Sequence, residues 1–172
     1  SKKKLSPIIQ SLEEGKIIVI GGFLWVTTDG LETILGRGGS DLSAVFLSCL
    51  LKEEFDVETV LFKQMPVQSA DPKKVKNQKT EHLMSLTYNE AHKASKMGMK
   101  IVQGEAISIA KQFKQPIKVS SISRPEEYTL IQSESNGKQT VKCVTGKSGC
   151  AILSMDDTNS RSLEDALRIW EN

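Results

Sequence analysis

The sequence predicts an α/β fold, in which strands alternate with helices around a sheet. Compact apolar runs at residues 16–23 and 57–63 are typical of buried strands, whereas residues 40–55 carry apolar side chains at helical spacing. Segments of these two kinds alternate along the chain, which favours a sheet with crossover helices. The chain has 172 residues, of which 38% are hydrophobic and 26% charged, so it is long enough for one folded domain or for one domain and a further fragment.

The elements of the first half follow from local patterns. They are a helix, a strand, a hairpin, a helix and a second strand, at residues 5–16, 16–23, 23–35, 40–55 and 57–63. The hairpin is predicted because Asp29-Gly30 supplies the positive φ angles of a tight turn. Gly15 is expected to end the first helix, and Ser40 is expected to be the N-cap of the second.

The second half is predicted to contain a long loop, two helices and two strands, at residues 64–80, 87–99, 104–115, 116–122 and 127–132. Thr87 and Glu90 have the spacing of a capping box at the start of the first of these helices, and Gly98 is expected to end it. A polar linker follows. The tail is predicted to form two strands and an amphipathic helix, at residues 140–146, 150–156 and 161–172.

Composition argues against several classes of function. The formal net charge is only +2, whereas nucleic-acid binding usually requires a strongly basic face. Three cysteines without a C-x-x-C pair predict no disulfide framework, and His82 and His92 lack the neighbours of a metal site. No apolar run approaches the roughly 18 residues of a membrane helix, and the start, SKKKLSP, lacks the apolar core of a signal peptide. We therefore expect a cytoplasmic protein with no nucleic-acid, membrane or metal partner.

One loop has a composition that core packing does not require. Residues 35–41 have the sequence L-G-R-G-G-S-D, at the start of a predicted helix. Gly38 and Gly39 let the backbone approach a ligand closely, and the free amides at a helix start attract an anion. Arg37 adds a guanidinium suited to a carboxylate, while Asp41 supplies the opposite charge for an ammonium group. The loop therefore indicates an amino acid ligand, unless Arg37 and Asp41 pair with each other or with other groups of the protein.

The same loop belongs to an ordered set of motifs. VIGGFLWVTTDGLETILGRGGSDLSA, at residues 19–44, resembles the glycine–phenylalanine hairpin and the R-G-G-S-D segment of the aspartokinases, which are members of the amino acid kinase family. ADPKKV, LTYNEAHKASKMGMKIV and AISIAKQFKQPIKVSSISRPEEYTLI resemble further aspartokinase elements in the same order. The resemblance covers residues 5–131, and the tail resembles the first strands and the helix of an ACT domain.

The resemblance implies a fold and a domain organisation. The fold would be a partial amino acid kinase (carbamate kinase-like) three-layer α/β sandwich with a truncated ACT-like βα tail. Residues 1–132 would be the carboxy-terminal part of the catalytic domain, residues 133–140 a linker and residues 141–172 a partial ACT-like segment.

The resemblance also implies an activity and a set of site residues. Aspartokinases transfer the γ-phosphoryl group of ATP, with Mg²⁺, to the side-chain carboxylate of L-aspartate, in the first step of lysine, threonine and methionine biosynthesis. On the positions that match the family's motifs, the residues that would bind aspartate are Phe23, Arg37, Gly38, Gly39, Ser40 and Asp41. Those that would bind the nucleotide are Asp71, Lys73 and Lys100.

Three departures from the family pattern bear on activity. The amino-terminal K-F-G-G-T/S segment, whose lysine is central to phosphoryl transfer, has no counterpart in SKKKLSPIIQ. In the nucleotide segment, Phe62 and Lys63 stand in place of T-D, Pro66 in place of a glycine and Gln68 in place of a tyrosine. The family's K-V-L-H-P is K-I-V-Q-G at residues 100–104. The amino acid pocket is therefore better preserved than the nucleotide pocket.

These departures lead to three alternatives. We expect an aspartate kinase by family that is inactive as this chain alone; its catalytic residues are not identified. The second alternative is a non-catalytic module that binds an amino acid or a partner subunit, and the third is a structural partner with a collapsed pocket. An incomplete ACT-like tail would leave a sheet edge and an apolar helix face uncovered, so we expect a second chain to cover them, most simply in a homodimer.

Overall fold

The computed structural model describes residues 2–75, 79–135, 141–146 and 149. Within these ranges the chain forms four helices and six strands. In chain order they are α1 (Lys2–Glu13), β1 (Leu24–Val26), β2 (Glu32–Ile34), α2 (Gly39–Leu51), β3 (Thr59–Lys63), β4 (Ser85–Thr87), α3 (Tyr88–Lys96), α4 (Gly104–Phe113), β5 (Ile117–Ser121) and β6 (Tyr128–Gln132).

The main sheet has four strands in the order β3-β5-β6-β4. β3 runs parallel to β5, and β4 parallel to β6, whereas β5 and β6 are antiparallel, so the sheet is mixed. Because β3 and β5 are parallel and in register, their last residues, Lys63 and Ser121, pair at the same edge. In α/β sheets, ligands bind at the carboxyl ends of parallel strands, which makes this edge the place to look for a site.

Three helices pack on this sheet. α4 contacts both α2 and α3, while α2 contacts β3, and α3 contacts β4 and β6. The core between them contains the fully buried side chains of Val45, Leu86, Ile107, Ile117 and Ile131. Full burial of a side chain of this size stabilises the fold by about 1.5–3 kcal/mol. This packing fixes where α2 and α4 begin, and both starts contribute to the site described below.

Two predicted local features are confirmed. The hairpin forms with Leu24 opposite Ile34, and Gly30 in its turn has a φ of 88°. α3 begins with the predicted capping box, in which Glu90 N donates to Thr87 Oγ1 at 3.2 Å and Thr87 N donates to Glu90 Oε2 at 2.7 Å. In both cases the residues that determine the structure are close together in sequence, so the local sequence pattern was sufficient to predict it.

The predicted strand at residues 16–23 is wrong. These residues pair with no strand in the part of the chain that the structure describes, and Ile17 and Val19 are 95% and 93% exposed. A β-branched run forms a strand only where a neighbouring strand satisfies its amides and carbonyls. No described segment lies alongside to do so.

The predicted N-cap of α2 is also wrong. The N-cap is Gly38, with a φ of 86°, and Ser40 lies inside the first turn of the helix. Glycine adopts this left-handed conformation at little cost, whereas serine does not.

The tail predictions are mostly untested by the structure. Residues 141–146 belong to no strand, contrary to the prediction for residues 140–146. The second predicted tail strand and the final helix lie outside the described residues, and so does most of the ACT-like segment.

The predicted α/β class is confirmed by this arrangement of helices on a mixed sheet. Of the helices in the described residues, none has the length and apolar character needed to cross a membrane.

Candidate functional site

A hydrogen bond from Phe23 connects the hairpin to the first part of α2. The backbone N–H of Phe23 donates to Ser43 Oγ at 3.1 Å, and that hydroxyl donates to Gly39 O at 3.0 Å. The φ of Phe23 is 75°, a left-handed conformation that costs a non-glycine residue about 1–2 kcal/mol. Next to it, Trp25 packs edge-on against Phe46 of α2, with ring centroids 5.1 Å apart. A strained residue held by its surroundings in this way is often part of a functional site.

Gly38 and Gly39 lie where the hairpin, the start of α2 and the residue before α4 pack together, and a side chain at either position would be too close to its neighbours. A Cβ on Gly39 would lie 2.5 Å from Leu35 Cβ and 3.0 Å from Phe23 Cδ2. A Cβ on Gly38 would lie 3.0 Å from Gln103 Cβ. All three distances are shorter than an ordinary carbon contact of about 3.5–4.0 Å. The space that these glycines leave is therefore filled by side chains of the protein, which bring the hairpin and the residue before α4 against the start of α2.

Arg37 and Ser40 provide free donors in this loop. The Arg37 side chain is exposed and, within the described residues, makes no hydrogen bond or ion pair. The amide of Ser40 likewise finds no acceptor in the described ranges, whereas the amides of Gly39 and Asp41 donate within the turn. An arginine three residues before a free helix amide suits a carboxylate or phosphate ligand.

Asp41 is bound by two residues that are distant in sequence. Lys63 Nζ donates to Asp41 Oδ1 and Oδ2 at 2.6 and 2.8 Å, and the amide of Gln103 donates to Oδ2 at 3.3 Å. The side chain of Asp41 is only 14% exposed, and that of Lys63 is 32% exposed. Lys63 ends β3 and Gln103 is the N-cap of α4, so this carboxylate joins the ends of three elements. Of the possibilities that the sequence left open, the structure has Asp41 paired with other groups of the protein.

Gln103 also contains an acceptor without a donor. Its side-chain Oε1 is buried and has no hydrogen-bond partner within the described residues, while its Nε2 donates to Glu105 Oε2 at 3.1 Å. A buried carbonyl oxygen left in this way costs about 1–3 kcal/mol. Such an atom calls for an explanation, and a bound ligand or water that donates to it is one.

The three predicted nucleotide residues line a single cleft. Asp71, Lys73 and Lys100 border a cavity of about 810 Å³, and Lys63 borders it as well. Asp71 shapes the loop, because its Oδ1 accepts from Lys73 N at 2.9 Å. The side chains of Lys73 and Lys100 are exposed and make no ion pair with the described residues. A cavity of this size can hold a small-molecule ligand.

Three of the four substituted positions of the nucleotide segment, Lys63, Pro66 and Gln68, also line this cleft. Pro66 is buried in its wall and has no amide to donate. Phe62 is 54% exposed. Gln68 Nε2 donates to Pro66 O at 3.3 Å, and Gln68 Oε1 accepts from Thr80 Oγ1 at 3.2 Å. In the described part of the chain, no three His, Cys, Asp or Glu side chains gather where they could hold a metal ion.

Residues 141–146 dock beside α3. Lys142 Nζ donates to Glu90 Oε2 at 3.0 Å. Burial alone would raise the pKa of Glu90, but the hydrogen bonds from Thr87 and Lys142 outweigh it and hold the pKa below its ordinary value. Burial raises the pKa of the Cys143 and Cys49 thiols, which favours the neutral thiol over the thiolate at both positions.

Sequence reasoning did not identify Lys63 or Gln103 as residues that contact the loop at residues 37–41. Their contacts with Asp41 span 22 and 62 residues, which no local pattern encodes. The available signal was that both positions depart from the family's motifs. A lysine in place of an acid can pair with a retained carboxylate, and here it does.

The sequence pattern of the Amino acid kinase family matches residues 1–121. Aspartokinase 2 of Bacillus subtilis (strain 168) is 34% identical over 137 residues, which are 79% of this chain and 32% of that protein. The chain thus spans about a third of the length of the curated relatives that it matches.

Solved structures show the same fold. The aspartate kinase of Synechocystis has a TM-score of 0.60 and 28% identity, over 82% of this chain and 23% of that one. Aspartokinase III of E. coli, in a complex with aspartate and ADP, has a TM-score of 0.66 and 21% identity, over 77% of this chain and 29% of that one. The chain therefore belongs to the amino acid kinase family, and within that family it is similar to aspartokinases.

Proposed function

We propose that this chain is part of an aspartokinase-like protein, and that the loop at residues 37–41 binds L-aspartate or a similar amino acid. The observation that carries the proposal is that, within the described residues, the exposed Arg37 side chain makes no ion pair and the amide of Ser40, three residues later, finds no acceptor. Arg37 would bind a ligand carboxylate through two parallel hydrogen bonds, and Ser40 N would add a third donor. Phe23, held in a left-handed conformation against α2, would form one wall of the pocket.

The cleft beside this loop supports a nucleotide as the second ligand. Lys73 and Lys100 would neutralise phosphate charge, which together with positioning supplies most of the catalysis in phosphoryl transfer. ATP would bring Mg²⁺ with its phosphates. Pro66 lacks an amide where the family pattern has a glycine, and Lys63, in place of an acid, is already paired with Asp41. We therefore expect weak or no ATP binding and no phosphoryl transfer to aspartate by this chain alone.

Separate calorimetric titrations with L-aspartate and with ATP test the proposal. We expect aspartate to bind and to lose at least about tenfold in affinity in Arg37→Ala, as expected for the loss of a charged hydrogen bond of about 1.5–3 kcal/mol. Arg124→Ala is the matched control, because Arg124 is also an exposed loop arginine and, in the part of the chain that the structure describes, pairs with the nearby Glu127 at 3.0 Å. Equal loss in both variants would contradict a specific role for Arg37. Micromolar ATP affinity would contradict our interpretation of residues 62–68.

A non-catalytic interaction module is the second candidate. Apolar side chains in and before the hairpin are exposed over more than half of their surface. The six residues are Ile17, Val19, Leu24, Val26, Leu31 and Ile34. An apolar surface of this extent favours contact with another polypeptide.

Light scattering at micromolar concentration and a coupled assay for aspartyl phosphate separate the candidates. A monomer would count against the predicted homodimer, and turnover that disappears in Arg37→Ala would exclude the non-catalytic alternative. Binding of neither aspartate nor ATP would favour a purely structural role.

A further inference from the structure

We propose that the tail supplies one wall of the cleft, and that residues 144–146 donate hydrogen bonds there to a phosphate-bearing ligand. The cleft is then complete only while the tail segment at residues 141–146 is docked, so docking and ligand binding favour each other. Sequence reasoning gave this segment no part in the site. The inference rests on the part of the proposed function that assigns a phosphate-bearing ligand to the cleft.

The tail segment borders the cleft directly. Val144, Thr145 and Gly146 line the cavity of about 810 Å³, together with Lys73 and Lys100. A ligand that fills this cavity therefore contacts the tail as well as the two lysines. Enclosure from several sides buries more of a ligand's surface than an open face does, which is typical of binding pockets.

The tail also offers donors that the protein does not use. Within the described residues, the amides of Thr145 and Gly146 and the hydroxyl of Thr145 have no acceptor. By contrast, the amide of Val144 donates to Ser69 O at 2.8 Å. Lys74 lines the same cleft, and its Nζ donates to Gly146 O at 2.5 Å, which holds an ammonium group beside these amides. Successive free amides next to an ammonium group suit phosphate oxygens.

The ion pair that holds the tail segment in place lies away from the cleft. Lys142 Nζ donates to Glu90 Oε2 at 3.0 Å, and only 11% of the Lys142 side chain is exposed. Next to it, Cys143 packs against the core. Neither Lys142 nor Glu90 is among the described residues that line the cleft. Breaking this pair therefore weakens docking without removing a group that contacts the ligand.

NMR titration of the 172-residue chain with tripolyphosphate and with ATP, at constant ionic strength, tests the proposal. For the wild type we expect weak binding of both probes, in the millimolar range, and slower deuterium exchange at the amide of Val144 when either is bound. Lys142→Met should speed that exchange. It should also weaken the binding of both probes by at least about fivefold, the lower end of ordinary coupling between two sites.

Lys118→Met is the matched control, because Lys118 is also a partly buried lysine in an ion pair, with Glu58 at 3.2 Å. It should keep the wild-type affinity. Unchanged affinity in Lys142→Met, with a wild-type circular dichroism spectrum, would overturn the inference. So would binding of neither probe to the wild type, although the proposed function, which expects weak or no ATP binding, would still stand. Failure of L-aspartate to bind would contradict the proposed function alone.

A second variant keeps the test decisive if Lys142→Met does not fold. Glu90→Gln keeps a side-chain oxygen that can accept from Thr87 N, but it removes the charge that attracts Lys142. It should weaken tripolyphosphate binding by at least about fivefold as well, and exchange at Val144 should again be faster. Equal affinities in Glu90→Gln and the wild type would contradict the proposal.

Discussion

Gly39→Ala tests whether the start of α2 is packed as closely as the structure shows. The added Cβ would lie 2.5 Å from Leu35 Cβ and 3.0 Å from Phe23 Cδ2. Leu35 Cβ cannot rotate away, because it is attached directly to the backbone. The loop would therefore have to move by about 1 Å to reach an ordinary carbon contact. The same movement would displace Phe23, so the substitution perturbs the candidate pocket as well as the fold.

The expected magnitude follows from two opposing terms. Overpacking of a close contact costs about 1–3 kcal/mol. Replacement of a helical glycine by alanine returns about 0.5–1 kcal/mol through lower backbone entropy in the unfolded state. We therefore expect Gly39→Ala to lower the free energy of unfolding by about 1–2 kcal/mol. With a urea m-value of about 2 kcal/mol/M, the unfolding midpoint would fall by about 0.5–1 M.

Gly36→Ala is the matched control for this measurement. Gly36 lies three residues earlier in the same loop, has no atom within 4 Å of its Cβ position and does not have a left-handed φ. Its free energy of unfolding should stay within about 0.5 kcal/mol of the wild type or rise slightly. Unfolding in urea can be monitored by circular dichroism. Equal unfolding midpoints for Gly39→Ala and Gly36→Ala would refute the close packing of Gly39 against the hairpin.

Three further predictions concern the rest of the fold. Thr87→Ala removes the capping box of α3 and should lower the free energy of unfolding by about 1 kcal/mol in urea, whereas Ser108→Ala, on the exposed side of α4, should have little effect. Burial raises the pKa of Tyr88 to about 12. The neutral phenol therefore stabilises the fold below its ordinary pKa of about 10, and this stability should be lost as the pH rises from 10 to 12; urea titrations across that range should show a smaller loss in Tyr88→Phe. Amides of residues 17–22 make no backbone hydrogen bond in the described chain and should exchange rapidly with deuterium; slow exchange would mean that another chain or segment pairs with them.

Much of the fold could be predicted because its signals are local. The hairpin follows from Asp29-Gly30, and the capping box follows from Thr87 and Glu90, three residues apart. Each pattern contains the groups that satisfy it, so the sequence alone was sufficient. The strand at residues 16–23 was predicted wrongly for the opposite reason. Its apolar pattern is strong, but a strand also needs a neighbour to accept its hydrogen bonds, and the pattern does not say whether one is present.

The candidate site could be predicted only in part, because its motif is local and its environment is not. The sequence identified the loop at residues 37–41 and the two glycines that its geometry requires. It could not show that Gly38 and Gly39 leave room for protein side chains, since Phe23 and Leu35 come from the two ends of the hairpin and Gln103 comes from the start of α4. Nor could it show which charge would neutralise Asp41, because that contact depends on the end of β3 lying beside the start of α2.

The retained motif and two of the substituted positions are in direct contact. Lys63 and Gln103 both depart from the family pattern, and both contact Asp41, which does not. An acidic side chain at position 63 would repel the Asp41 carboxylate at this distance. The ammonium of Lys63 neutralises that carboxylate instead. The charge that Asp41 presents thus depends on Lys63 and Gln103 as well as on Asp41 itself, so the motif at residues 37–41 has to be interpreted together with its contacts.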